Sequence, residues 1–247
     1  MPSFQPIRER ATRRKGGEAA LSELLKPVPP PERLAALPDD RVLAEIARRI
    51  FSSGFSWSVI DKKWPDFEEA FLGFEPRRLL FQPPDFWDAL TSDRRIVRHG
   101  PKIMAVARNA RFVLDVAEEH GGFGRFLADW PATDQIGLWA FLAKRGHRLG
   151  GNSGPYFLRF VGKDGFILSR DVVMCLRDAG LDIPERPTAK RDLDKIQRQF
   201  NAWAEETGLS YTHLSRLCAF SIGENWASDH QDHGGDEFPE AAENYLP

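Results

Sequence analysis

Cysteine is scarce. Cys175 and Cys218 are the only two among 247 residues. They are too few and too far apart for a disulfide framework, and they read as free thiols in a reducing compartment. No apolar run is long enough to span a bilayer. The opening residues, MPSFQPIRERATRRKGG, lack the apolar core that a secretory signal needs. The expectation is a cytoplasmic protein, nucleoid-associated in a bacterium, with no membrane partner. Convincing two-residue alternation, the mark of a half-buried strand, is also missing, so the expected fold class is all-α. Eighteen Phe and seven Trp supply large side chains for a core, and the length suits one large domain or two lobes.

Charge is unevenly spread. From Glu224 to Pro247 there are seven acids and no Lys or Arg, so the net −2 of the whole chain hides +5 on residues 1–223. Two long windows have no acid. Arg94–Leu114 carries Arg94, Arg95, Arg98, Lys102, Arg108 and Arg111; Gln135–Lys163 carries Lys144, Arg145, Arg148, Arg159 and Lys163. Such windows suit a polyanion, and two solvated helix faces are the plainer reading.

Residues 1–37 are basic and then Pro-rich (KPVPPPERL), which reads as an arm and linker with one short helix at Glu18–Leu25. A helical body follows over 38–226, and an acidic, flexible tail over 227–247. Leu43, Ile46, Ala47, Ile50 and Phe51 repeat at helical spacing after Pro38-Asp39-Asp40, and Gly54 ends that helix. Shorter helices are predicted at about Asp66–Leu72, Glu75–Leu80 and Pro84–Leu90. The clearest helix is Lys102–His120, with Ile103, Val106, Ala107, Ala110, Val113, Leu114 and Ala117 as its stripe and Gly121 closing it. Helices at Asp134–Lys144, at Arg170–Ala179 capped by Ser169, after Thr188, and at Tyr211–Phe220 complete the pattern.

Two short stretches carry chemistry. In SSGFSW, residues 52–57, Gly54-Phe55 breaks a helical pattern; a large apolar side chain at a turn tip is a poor start for a core and a good wedge. In LGGNSGPY, residues 149–156, a glycine turn opens a helix. Glycine allows positive φ and close approach, and a helix N-terminus adds partial positive charge, so Gly150, Gly151 and Gly154 with Arg148 can grip a backbone phosphate without reading sequence. A plain helix–helix loop is the alternative.

The segments SGFSWSVIDKKWPDFEEAFLGFEP (53–76) and IVRHGPKIMAVARNAR (96–111) resemble the helix-hairpin-helix DNA glycosylases, and within them the 3-methyladenine DNA glycosylase I family. The order and spacing match over roughly Leu43–Leu114, and a looser match runs through the hairpin to about Cys175. The resemblance implies a two-lobed all-α fold. It also implies a monomeric, monofunctional enzyme that flips an alkylated purine out of double-stranded DNA and hydrolyses its N-glycosidic bond. On that reading Gly54 and Phe55 form the wedge that fills the gap left by the base. Trp57 stacks on the flipped base; burial of Phe55 and Trp57 in a core is the alternative. His99 contacts the base or a phosphate, with an ordinary surface His as the plainer reading. Lys62, Lys63 and Lys102 join the hairpin in holding phosphates, and Arg98 does the same or pairs with a carboxylate in the core.

The departures are as informative. The family holds a structural zinc through an N-terminal Cys and His and a C-terminal His and Cys. Here no N-terminal Cys or His exists, and Asp171 precedes Cys175 where the second His is expected, so neither metal nor other cofactor is expected. The DHQDH at 229–233 reads as tail. The family's base-recognising Glu stands eight residues before the stacking Trp; here that position is Arg49, a cation that repels a positively charged purine. Glu45, one turn earlier and about 6 Å along the helix, is one candidate catalytic carboxylate. Asp171, two residues past the position where related enzymes carry an Asp, is the other, with an ordinary first-turn acid as its plainer reading. These departures leave two further readings: a glycosylase-like protein that binds damaged or bent DNA without cleaving it, and a helical interaction domain unrelated to DNA.

Overall fold

The computed structural model describes residues 2–54 and 56–222. The expected wedge residue Phe55, the DHQDH run and the acidic tail lie outside the described residues. Those described form α-helices joined by short loops, with no strand among them. In chain order the helices are α1 (Gln5–Arg14), α2 (Glu18–Leu24), α3 (Pro31–Ala35), α4 (Asp39–Ser52), α5 (Trp57–Ala70), α6 (Pro76–Leu80) and α7 (Pro84–Ser92). Then come α8 (Gly100–His120), α9 (Phe123–Asp129), α10 (Gln135–Arg145), α11 (Ser153–Phe160), α12 (Arg170–Asp178), α13 (Lys190–Thr207) and α14 (Tyr211–Ser221). A 3-10 turn, Leu72–Phe74, follows α5. None of the described helices is long and apolar enough to cross a membrane.

The chain divides into two compact units. Among the described residues, one contains 2–29, 131–138 and 164–222. Its central helix is α14, against which α1, α12 and α13 pack. The N-terminal residues, read from composition as an arm, are helical and anchored here. Phe4 is fully buried with its ring 5.2 Å from that of Trp203. The Trp203 indole N–H donates to the Pro2 carbonyl at 2.9 Å, and the Glu206 carboxylate accepts from the Phe4 N–H. Composition misled because α1 is polar on all but one narrow face, where Ile7 and Ala11 are buried. Thr188 is not a cap: α13 begins two residues later behind Ala189.

The other unit contains Pro30–Trp130 and Trp139–Lys163. Its central helix is α8, which packs against α4, α6, α7 and α9. α8 begins two residues before the predicted Lys102, with Pro101 in its first turn, and ends as predicted, Gly121 closing it at φ 72, a left-handed conformation that favours glycine. Contacts on several sides widen its buried arc beyond the predicted stripe, to Ala105, Asn109, Phe112 and Val116. α5 begins nine residues before the predicted start. Pro65 reads as a helix opening, yet it sits inside α5. The face formed by Ile60, Trp64 and Phe67 overrides the lost backbone bond, because Trp64, Phe67, Phe71 and Phe74 stack in series at 5.3–6.1 Å between ring centres.

Candidate functional site

The turn between α4 and α5 is held from below. The Lys102 ammonium is buried and donates to the carbonyls of Phe51 (3.1 Å) and Ser53 (2.5 Å), at the end of α4. Helix C-terminal carbonyls are a natural seat for a cation. Burial, and then the nearby Arg148 charge, pull the Lys102 pKa below its usual value. His99 caps α8, its Nδ1 accepting from the Lys102 backbone N–H at 3.3 Å. Two residues that the resemblance assigns to DNA therefore also have structural work: Lys102 holds the turn, and one nitrogen of His99 is committed to its own helix. Gly54, exposed at φ 79, forms the turn tip. Lys102→Met is expected to lower stability by about 1–3 kcal/mol, because it strips a donor from buried carbonyls; urea unfolding measures it.

Trp57 is the first residue of α5 and is half-buried. Its ring stands 5.3 Å from Phe160 and 6.2 Å from Tyr156, both on α11. Over this aromatic wall lies the Arg49 guanidinium, its central carbon 4.2 Å from the Trp57 ring centre and 3.7 Å from that of Phe160. One turn back on α4, Glu45 Oε1 is 2.7 Å from Arg49 Nε. At that distance the two form an ion pair, and Arg49 Nη1 is enclosed without a hydrogen-bond partner. Burial pushes the Glu45 carboxyl up and the Arg49 guanidinium down, each partner opposing the other's shift. Packing of α11 on α4 builds this recess, so Phe160 and Tyr156 had no signal in the local sequence. Arg49 had one, the wrong charge at a recognisable position.

The glycine hairpin joins α10 to α11. Arg148 and Gly151 both take positive φ (60° each) and are exposed, as is Gly150. Gly154 differs: it is buried, and a side chain there would meet the Leu149 carbonyl at 2.7 Å. Its role is close packing of helix on turn, not an exposed phosphate contact. The buried Asn109 of α8 clamps the hairpin's entry, its amide donating to the His147 carbonyl (2.9 Å) and accepting from the His147 N–H (2.8 Å). Sequence reasoning missed Asn109, although a polar residue within an apolar helical stripe was the available signal. Burial, then the charge of Arg108, lowers the His147 pKa, so Arg108 and Arg148 both stand near the hairpin. Asn109→Ala is expected to cost about 1–3 kcal/mol of stability, because it leaves the His147 backbone groups without their partner; urea unfolding measures it.

Other expected contacts are dispersed. Lys62 and Arg98 are exposed. Lys63 donates to the carbonyls of Arg95 (2.8 Å) and Arg94 (3.3 Å). Within the acid-free windows, Arg95 and Arg145 pair with acids from elsewhere (Asp93 and Glu69; Glu119), while Arg159 and Lys163 are buried. Asp171 lies in the first turn of α12, in the unit that does not contain Glu45 and Trp57.

A zinc ion does not fit the residues present. The Cys175 thiol faces Cys218 and Ser221, with the Arg10 guanidinium beside it, and a fixed cation opposes a metal. No cluster of three or more His, Cys, Asp or Glu able to hold one occurs among the described residues. A cleft of about 480 Å³ is lined by Asp39, Asp40, Glu75, Arg77, Arg111 and Glu118 among others. It is apart from the recess, and its acids serve structure: Asp39 accepts from the Phe123 N–H and Glu75 caps α6.

The methyladenine glycosylase family matches residues 36–138. That span includes Glu45, Arg49, Trp57, His99 and Lys102 and ends before the hairpin. It agrees with the family resemblance read from residues 53–76 and 96–111. No curated protein matches the chain at a significant level. Among solved structures, the 3-methyladenine DNA glycosylase I of Staphylococcus aureus is 23% identical over 62% of this chain and 85% of its own, with a TM-score of 0.46. The 8-oxoguanine glycosylase/lyase of Methanocaldococcus jannaschii, solved with a 15mer DNA containing 8-oxoguanine, is 14% identical over 87% of this chain and 95% of its own, with a TM-score of 0.47.

Proposed function

We propose that this protein is a DNA base-excision N-glycosylase of the 3-methyladenine type. It binds double-stranded DNA as a monomer, flips out an alkylated purine and hydrolyses the N-glycosidic bond, without metal and without strand cleavage. The observation that carries this reading is the half-buried Trp57 indole next to the exposed Gly54 turn, backed by Tyr156 and Phe160 of the helix that opens at the glycine hairpin. One framework thus supports both a surface for a flipped base and a loop suited to a phosphate.

The chemistry asks little of a strong acid or base. Alkylation at a ring nitrogen makes the base a good leaving group, so positioning of the base and of one attacking water supplies much of the rate. Glu45, buried and joined to Trp57 through Arg49, is the carboxylate assigned to the charged base and the developing oxocarbenium ion. Asp171 is the second candidate. Phe55 is assigned the wedge, replacing stacking that costs a few kcal/mol to break. Arg148, Gly150, Gly151, Lys62 and Arg98 are assigned to phosphates.

The test incubates purified protein with methylated duplex DNA and measures released bases by mass spectrometry. Release above a no-protein control, lost in Glu45→Gln or in Asp171→Asn, is the expected result and identifies the carboxylate. A second reading, a DNA-binding protein without chemistry, is favoured by Arg49 lying over Trp57. It gives salt-sensitive DNA affinity and no released base.

A further inference from the structure

Arg49 is placed unlike an ordinary surface-facing arginine. Its side chain is 3% exposed, its guanidinium lies over two aromatic rings, and a carboxylate that is itself 15% exposed sits at its edge. A planar cation on an indole face is attracted by the ring quadrupole, more strongly once desolvated. Arg49 Nε meets Glu45 Oε1 at 2.7 Å, while Nη1 is enclosed with no hydrogen-bond partner and the flat face of the guanidinium lies against the rings. Its plane is spent on the rings.

We propose that Arg49 is an internal stand-in for the ligand: it occupies the aromatic recess of Trp57 and Phe160, and only another planar cation, a positively charged N-alkylated purine, can take its place. The selectivity follows from Glu45. If Arg49 swings out and an uncharged base enters, the part-buried Glu45 carboxylate loses its nearest counter-ion and keeps only the charge of Arg48, which Asp61 already shares, a disfavoured exchange. If a cationic purine enters, one planar cation replaces another over the same rings and beside the same carboxylate. Exchange is then close to balanced, and the extra ring area and hydrogen-bonding edge of a purine tip it. Arg49, which repels a positive base if both must be present, becomes a filter against normal bases. This inference rests on the alkylated-purine reading above and adds how charge is selected.

The test uses nucleosides, so neither DNA binding nor bond cleavage enters. Binding of 1-methyladenosine, cationic at neutral pH, and of uncharged adenosine is followed by tryptophan fluorescence and by thermal shift in wild type, Arg49→Ala and Arg49→Gln. Circular dichroism confirms the fold of each; the glutamine amide stays within reach of Glu45, so that variant carries the reading if the alanine variant does not fold. With the internal cation gone, affinity for 1-methyladenosine is expected to rise at least tenfold, with no comparable gain for adenosine. Adding Glu45→Gln is expected to erase the gain. Equal gains for both nucleosides mean that the change merely opened an apolar hole, and overturn the proposal. So does no gain at all in a folded variant, or a wild-type protein that binds adenosine as well as 1-methyladenosine. Base release from methylated DNA without the nucleoside gain sinks this inference alone, and the gain without base release sinks the enzymatic reading alone.

Discussion

Glu45→Ala is expected to cost about 3–5 kcal/mol of folding stability, the usual consequence of leaving one member of a buried ion pair unpaired. The effect is large because the surviving Arg49 is enclosed, loses its contact through Nε and already lacks a hydrogen-bond partner on Nη1. The pair is not itself a stabilising device. Replacing both members with apolar residues, Glu45→Leu with Arg49→Met, is expected to recover most of the loss. Urea denaturation of the single and double variants measures both. A single variant as stable as wild type would mean that Arg49 reaches solvent freely and does not fill the recess.

Trp57→Ala is expected to reduce base release from alkylated DNA by about 5- to 150-fold, equivalent to about 1–3 kcal/mol of lost base stacking. Duplex affinity should change much less, since phosphates are assigned to the hairpin and to Lys62 and Arg98. Stability should fall modestly, because the indole is half-buried and its neighbours Phe160 and Tyr156 remain. Single-turnover measurement of released base, beside anisotropy with unmodified duplex, separates the two effects. Unchanged release would remove the aromatic recess from the mechanism.

Much of the frame was legible locally. α8 could be drawn from its apolar spacing and Gly121, and the Ser169 cap of α12 from one hydroxyl before a helical run; its side chain accepts from the Val172 N–H at 3.3 Å. These features depend on residues within a turn or two of each other. Where a proline sat inside a helix, as at Pro65, local rules gave the wrong boundary, because stacking of Trp64, Phe67, Phe71 and Phe74 outweighs one missing backbone bond. Residues 5–14 were misread for a similar reason: Phe4 is buried against Trp203, almost two hundred positions away.

By itself, the sequence determined the helical class, the turn that carries Gly54 and the glycine hairpin, because each follows from residue type and short-range spacing. Only the tertiary structure decided what the charged residues do. Lys102 turned inward to helix-end carbonyls, and Arg49 came to rest on Phe160. A charge in a sequence has no direction. Burial and the partners supplied by distant helices give it one, since a desolvated ion must find a compensating group wherever the packed chain offers it.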